Sequence, residues 1–545
     1  MKKLLLMASL LALSFQPVLA VKAKPGVVKT VKQADGTELQ VKLVGDEHFH
    51  YYTNLDDKPL WMDESGKYRV VEFEKIQEMA YEKAALREQK KSQALKAAAA
   101  SQGSWVGVGR FGELFPHTGK RNSLIILVAF EDQPFIVNEP HDYFTRFLNE
   151  ERFKDHGGTG SVKDYFEEVS MGQFEPTFDV YGPVTLSTMA TYGKNDRWGQ
   201  DENPTGMVVD ACKALDGQIN FADYDTDGDG VVDNIYIIYA GYGEATYGSE
   251  DTIWPHSYDI RNDKINLVLD GVQIGTYGCS NEWENGKPDG IGTFCHEFGH
   301  VLGLPDLYNT VTTSANYTPG PWDVMDAGSY NHDSRTPPSY SAFERNAMGW
   351  IDLIELKPGM EVELREINGY NEAAILPISN TEFFLFENRQ KTRWDGYLPA
   401  TGMLVWHIKY NSLRWGANTV NNTKSQQYVD IEEAGGVANS SIKRTLESYP
   451  FPGSNNVTTI SDYTTPNLLT WDKKETGIII YDIAETKGVI SFKVGDTAGI
   501  ADATINASGE EELYNLQGVR VNGNPAPGIY ISRNGNEVKK VIIRN

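Results

Sequence analysis

The sequence predicts an α/β fold: a domain on a twisted, mixed, largely parallel sheet, then a C-terminal β-sandwich and a small β tail. Three observations predict it. From Ser123 to Val301, strand-like runs alternate with helix-like runs, as in domains that pack helices on a sheet. After Asp352 the composition shifts to short alternating strands punctuated by Gly, Pro, Asn and Asp. The chain then ends in three brief strand-like pieces, too small to hold a large core of their own.

At 545 residues the chain is longer than one core usually spans, so several domains are expected. Fifty basic against 75 acidic residues give a net charge of −25, which argues against nucleic-acid binding and for a well-solvated protein. Three cysteines are too few for a disulfide framework.

Met1, Lys2 and Lys3 precede an apolar run from Leu4 to Phe15 and a small-residue exit at Ala20, the pattern of a secretory signal peptide over residues 1–20. The run is too short to span a bilayer comfortably, and no later stretch is longer, so no transmembrane segment is expected in the mature chain. Residues 21–105 read as a propeptide and connector. Strand-like segments such as Glu38 to Val44 follow the turn at Asp35-Gly36, and a polar, alanine-rich helix is expected from Glu74 to Ala100. The alternative is a small, stable N-terminal domain.

Residues 106–352 read as the catalytic domain. Its strands are expected at Ser123–Phe130, Phe174–Val184 and Ile235–Ala240, and its helices at Ser161–Ser170 and Asn203–Leu215. The last helix carries FCHEFGHVLGLPD over 294–306. Residues four apart share a helix face, so His296 and His300 can aim their imidazoles at one metal ion. Glu297 sits beside them, placed to reach a water rather than the metal. Gly303 can end the helix and Pro305 keeps it from resuming, which brings Asp306 back toward the histidines. Two imidazoles, one carboxylate and an open position make a catalytic rather than a structural zinc site.

A second cluster lies in Asp223 to Asp233. Asp225, Asp227, Asp229 and Asp233 fall at positions 1, 3, 5 and 9 of an EF-hand-like loop, with Gly230 at the sharp turn and Asp223 as a further candidate. Tyr236 stands where a full EF-hand has glutamate. Five carboxylates in eleven residues repel one another strongly without a cation, so a structural calcium ion is expected; a solvated acidic turn is the alternative. Cys279 and Cys295 could be bridged in an oxidising compartment, but spacing alone does not fix the pairing.

Residues 353–495 form the expected β-sandwich, with strands at Glu382–Asn388, Gly402–Ile408, Gly477–Asp482 and Gly488–Lys493. His407 on such a strand reads as a satisfied core histidine rather than a ligand. Residues 496–545 form the tail. Its Tyr514–Gly518 and Gly528–Ile531 pieces resemble the C-terminal sorting module of proteins exported by the type IX route, while a further hairpin of the sandwich is the alternative.

The extended motif from His296 to Asp306 resembles the metzincin metallopeptidases, whose methionine turn beneath the metal would be Trp322–Gly328 with Met325. Within them the chain most resembles the immune inhibitor A family of secreted bacterial metallopeptidases. The resemblance rests also on Gly160–Ser170, the acidic loop running into Tyr239–Gly243, Leu304–Tyr308, Gly349–Trp350 and Glu387–Arg389. It implies a calcium-stabilised zinc endopeptidase made as a zymogen, with Glu297 as general base and protein or peptide substrates. The signal peptide and tail imply export through the periplasm of a Gram-negative bacterium, to be released or held at the cell surface, with the secretion machinery as a partner. Tyr330 lies near the place of the tyrosine that some metzincins add, though its spacing departs from theirs. A metal-stabilised adhesin and a zinc hydrolase of non-peptide amides are the alternatives; an intact Glu297 argues against the first.

Latency cannot use a cysteine switch, because Cys212, Cys279 and Cys295 all lie outside the propeptide. Asp56 and Asp57, in a turn between strand-like segments, are candidates to cap the metal, with His48 and His50 behind them. Steric occlusion by the whole propeptide is the alternative.

Overall fold

The computed structural model describes residues 19–84 and 115–543, apart from 64, 197–198, 312–317, 424–425, 436–444, 498–500, 503–511, 517–518, 522, 524 and 535–536. Residues 1–18 of the expected signal peptide and the end of the expected alanine-rich helix lie outside them, as does part of the Tyr514–Gly518 motif. The chain divides into two compact units. One runs through Ser339 and includes Tyr410–Gln427; the other comprises Tyr340–Lys409 and the chain from Tyr428 onward.

The first unit opens with a five-stranded antiparallel meander from Val28–Lys32 to Tyr68–Val70. Its first hairpin turns at Gly36, whose φ of 84° needs a residue without a Cβ. Residues 73–84 are helical, the start of the expected long helix.

The main sheet of this unit is mixed. Gly119–Phe130 lies between Phe174–Leu186 and Ile235–Tyr242, and Thr276–Glu284 follows, all parallel. Lys287–Pro288 and His256–Asp259 add to Thr276–Glu284 antiparallel. The central strands are almost continuously apolar because helices cover them. Pro204–Leu215 packs Met207, Val208, Ala211, Cys212 and Leu215 into one face of the core. Ser161 caps Val162–Val169 through a capping box with Asp164. The expected strands and helices all form, to within a few residues. The helix Pro140–Asn149 and the polar edge strand His256–Asp259 are additional.

In the second unit, a five-stranded sheet containing Glu382–Arg389 and Gly402–Lys409 shares an apolar core with a four-stranded sheet containing Ile478–Thr486 and Val489–Asp496. Within its core, Arg389 is fully buried between Glu387 and Asp395, and Trp406 donates to Glu387 at 2.9 Å. Strands at Glu512–Tyr514, Gly528–Asn534 and Glu537–Ile543 form most of a separate small sheet. Among the described residues no helix is long and apolar enough to cross a membrane.

Candidate metal centre and cleft

Every residue of the helix Ile291–Val301 is buried. Phe294 and Phe298 stack at 5.6 Å and pack on Phe178, while Phe298 also meets Phe115 and Phe166. This aromatic face holds the helix against the sheet. At its start, Gly292 passes so close to the Ser329 carbonyl that a Cβ there would sit 1.9 Å from the oxygen. The helix ends in a Schellman motif: Gly303, at φ 94°, donates to His300 O and Leu304 donates to Gly299 O, both at 2.9 Å. That turn carries the chain to Asp306.

The Nδ1 of His296 lies 2.7 Å from the Val324 carbonyl, and that of His300 lies 2.8 Å from the Leu304 carbonyl. Both rings are thereby oriented with Nε2 inward, the usual support for a ligating imidazole. Asp306 Oδ1 lies 3.1 and 3.3 Å from the two Nε2 atoms. All three atoms are buried and, among the described residues, have no hydrogen-bond partner outside the triad. Ligands at zinc distances in a tetrahedron stand about 3.3–3.4 Å apart, so this triad fits such an ion. Burial opposes charge on His296, but the Asp306 carboxylate outweighs it and holds the imidazole up at about 9. Burial likewise opposes charge on Asp306, and the two histidines hold it well below the usual carboxylate range.

Met325 lies fully buried in a turn tied to this site. Asp323 Oδ1 accepts its amide at 2.8 Å, and its carbonyl accepts Leu307 N at 2.9 Å. Val324, which orients His296, is its neighbour, so the turn and the metal triad are one hydrogen-bonded assembly. Asp306 is held from the other side by Asn418, which accepts its amide at 2.8 Å and donates to Oδ2 at 2.5 Å.

Glu297 is buried beside the triad. Burial, opposed by His296 and by the Val21 amide, pushes its carboxyl up to about 8. Oε1 accepts Val21 N at 2.8 Å, and Oε2 has no partner among the described residues. Val21 belongs to an extended segment that fills the cleft. Leu19 exchanges both backbone bonds with Ser257 on the edge strand, at 2.9 and 2.6 Å. Tyr308 donates its hydroxyl to the Ala20 carbonyl, Trp254 its indole N–H to the Val21 carbonyl at 2.8 Å, and Tyr330 its hydroxyl to the Lys22 carbonyl at 2.6 Å. Lys22 reaches Asp326, and Lys24 reaches Glu284 and Asp333.

The segment from Leu19 to Lys24, and not the turn at Asp56 and Asp57, therefore lies at the site. Asp57 is three-quarters exposed and pairs with Lys42 at 2.7 Å. His48 is buried against Glu47, and His50 stacks on Trp254. All three cysteines are free thiols, Cys279 lying 3.4 Å from His256 Nδ1, so Cys279 and Cys295 are not bridged.

The acidic loop gathers three of its five candidates. Asp225, Asp227 and Asp229 bring carboxylate oxygens within 4.8 Å of one another. Gly230, at φ 88°, makes the turn and donates to Asp225 at 3.0 Å. Asp233 instead accepts from the Thr226 amide and hydroxyl, and Asp223 accepts from Asn220 at 2.8 Å. Both lie outside the cluster.

The sequence pattern does not single out Trp254, Tyr308 or Asn418 as site residues. Tyr308 stood within the Leu304–Tyr308 resemblance; Trp254 and Asn418 carried no signal at all.

Residues 118–351 match the family described as Immune inhibitor A peptidase M6, catalytic domain. The chain is 27% identical to Immune inhibitor A of Bacillus thuringiensis subsp. alesti, over 44% of its own length and 42% of that protein's. It is 28% identical to the pre-pro-metalloprotease PrtV of Vibrio cholerae serotype O1, over 43% of its own length and 31% of that protein's. The matched region thus spans less than half the length of either relative. These likenesses support a metallopeptidase domain around the buried His/His/Asp triad.

Proposed function

We propose that the chain is a zinc-dependent endopeptidase, made as a zymogen and exported, with Glu297 as general base. The observation that carries this reading is the seating of a peptide at the triad, its Val21 nitrogen 2.8 Å from Glu297. The same seating favours peptide bonds over other amides, since the cleft binds main-chain groups on both sides of Ala20-Val21.

His296, His300 and Asp306 would hold the metal. When bound, zinc supplies Lewis acidity and brings the pKa of a coordinated water to about 7. Glu297 Oε2 is placed to take the proton of an attacking water. As the water oxygen bonds to the carbonyl carbon and the C–N bond breaks, Glu297 passes that proton to the leaving nitrogen, where Val21 N now stands. Tyr308 donates to the carbonyl oxygen on which negative charge develops. The turn around Met325 orients His296 through the Val324 carbonyl.

Latency follows from the same seating: after residues 1–20 leave as the signal peptide, Val21–Lys24 still occupies the cleft and keeps substrates out. A calcium ion at Asp225, Asp227 and Asp229 would stabilise the fold without entering the chemistry. The signal-peptide pattern and the tail support export through the periplasm and the type IX route.

The test is a proteomic cleavage profile with the zinc-loaded wild type and Glu297→Ala. The variant should keep its zinc and lose at least about a thousandfold in turnover. A metal-replete variant that still cleaves overturns the general-base assignment.

A further inference from the structure

We propose that the cleft selects peptides with lysine or arginine at the second and fourth positions after the cleaved bond, through Asp326 and through Glu284 with Asp333. The proposal rests on the peptidase reading above and extends it to substrate class. Its basis is the register of the seated segment. If Ala20-Val21 lies where the scissile bond lies, Lys22 and Lys24 are the second and fourth residues beyond it.

The register is fixed by main-chain bonds that any extended peptide makes. Ser257 pairs with Leu19, Trp254 binds the Val21 carbonyl, Tyr330 binds the Lys22 carbonyl, and the Ala245 carbonyl accepts Lys24 N at 2.8 Å. In an extended chain, alternate side chains share a face. Val21 and Ala23 accordingly lie buried in an apolar cluster with Ala245, Trp254 and Tyr330, and Lys22 and Lys24 extend to the carboxylates.

Both carboxylate sites are deep. The Asp326 side chain is fully buried and that of Glu284 is 1% exposed. The lysine ammonium groups also lie over aromatic rings, with Lys22 Nζ 5.5 Å from the Tyr308 centroid and Lys24 Nζ 5.6 Å from that of Tyr330. Other charges near the outer site leave its balance acidic. Asp333 also meets Lys287 at 2.9 Å and Arg335 at 3.5 Å, but among the described residues no cation other than Lys24 pairs with Glu284, and the Asp289 carboxyl is buried beside it. A buried carboxylate left without a partner is costly, so a neutral or acidic residue at either position binds poorly. The two sites differ in kind. Asp326 also caps the Ala327 and Gly320 amides at 2.7 and 2.8 Å, so it is a fixed part of the methionine turn. Glu284 and Asp333 stand apart from the metal assembly and are the better targets for substitution.

The test compares quenched peptides that differ only at these positions, cleaved by the activated, zinc-loaded protein. Lysine at either position should raise kcat/KM about tenfold over alanine, mainly through KM, and glutamate should lower it. Glu284→Gln with Asp333→Asn should collapse the lysine-to-alanine ratio at the fourth position and leave that at the second. Equal kcat/KM for the lysine and alanine peptides overturns the proposal. A protein that cleaves no peptide defeats the peptidase reading instead, and a second measurement then decides. In the full-length chain, Lys22→Ala with Lys24→Ala should speed hydrogen exchange at residues 21–24 about tenfold or more. Unchanged protection would show that the carboxylates do not hold basic side chains.

Discussion

Asn418 grips Asp306 at both ends, accepting its amide through Oδ1 and donating to its Oδ2 through Nδ2. This pairing leaves Asp306 Oδ1 as the atom that faces the two imidazoles. It comes from the Tyr410–Gln427 excursion, whose Asn421 also donates to the Leu307 carbonyl at 2.7 Å. The third metal ligand is thus oriented by a segment 112 residues further along the chain.

Removing that grip frees the carboxylate to rotate, and a ligand's outer partner typically accounts for about 10–100-fold in metal affinity. Asn418→Ala should weaken zinc binding by that factor, read by competition with a chelator. Asn418→Asp should weaken it too, because a second carboxylate would face Asp306 Oδ2. Wild-type affinity in both variants would show that Asp306 needs no outside support.

What the sequence made legible were features whose cause is local. The spacing of His296 and His300, the helix stop at Gly303 and the turn around Met325 depend on a few neighbouring residues, and each lies where the pattern places it. The misses have non-local or competing causes. His256–Asp259 is four residues long and polar, so its strand character comes from pairing with Thr276–Glu284 and not from alternation. Loop spacing offers Asp223 and Asp233 to a metal beside the other three, but spacing does not register that the fold gathers only Asp225, Asp227 and Asp229, with Asp223 on Asn220 and Asp233 on Thr226. Asn418 and Trp254 act through contacts that only the folded chain creates.

Tyr308 offers a test of where charge develops. Its hydroxyl is buried and donates to the Ala20 carbonyl, and losing one such donor commonly costs about 100–1,000-fold in turnover. Tyr308→Phe in the activated protein should lower kcat within that range with little change in KM. A loss confined to KM would make Tyr308 a binding residue only.

The cleft segment makes a definite statement about latency. Asp56→Ala with Asp57→Ala should leave the full-length protein as latent as the wild type, since that turn is exposed and pairs with Lys42. Lys22→Glu with Lys24→Glu should instead release activity before any propeptide cleavage, because each places a carboxylate against buried carboxylates. Activity of unprocessed protein on a neutral quenched peptide distinguishes them. Activation by the first pair and not the second would return the switch to the turn.

Calcium binding only to the folded chain raises stability by mass action. Calcium should therefore raise the thermal midpoint of the zinc-loaded protein, and Asp225→Ala with Asp227→Ala should abolish the rise while zinc content stays the same. Replacing Asp223, which is bonded to Asn220, should leave most of the rise intact. A midpoint indifferent to calcium would reduce the loop to an acidic turn.

The last prediction concerns His407, the core histidine of the second unit. It lies between the rings of Phe384 and Trp471, with Glu382 at 3.1 Å and Glu432 at 3.3 Å. Burial works against its charge, but the two carboxylates outweigh it and raise its pKa above the ordinary 6.5. Glu382 is buried too, yet His407, the Trp471 amide and Lys409 bring it down to about 2. A raised histidine contributes stability that is complete below its unfolded value and lost as pH climbs through its folded value. A lowered carboxylate contributes stability that is complete above its unfolded value and lost as pH falls through its folded one. The cluster should therefore contribute most between the ordinary values of 4.5 for glutamate and 6.5 for histidine. Above that window the wild type should lose stability that a His407→Gln variant never had, so the difference between their unfolding midpoints should shrink as pH rises toward 9. Below it, protonation of Glu382 removes the partner of His407, and the difference should shrink again toward pH 2. A difference that stays constant from pH 4 to pH 9 would mean that His407 is held by ring packing alone.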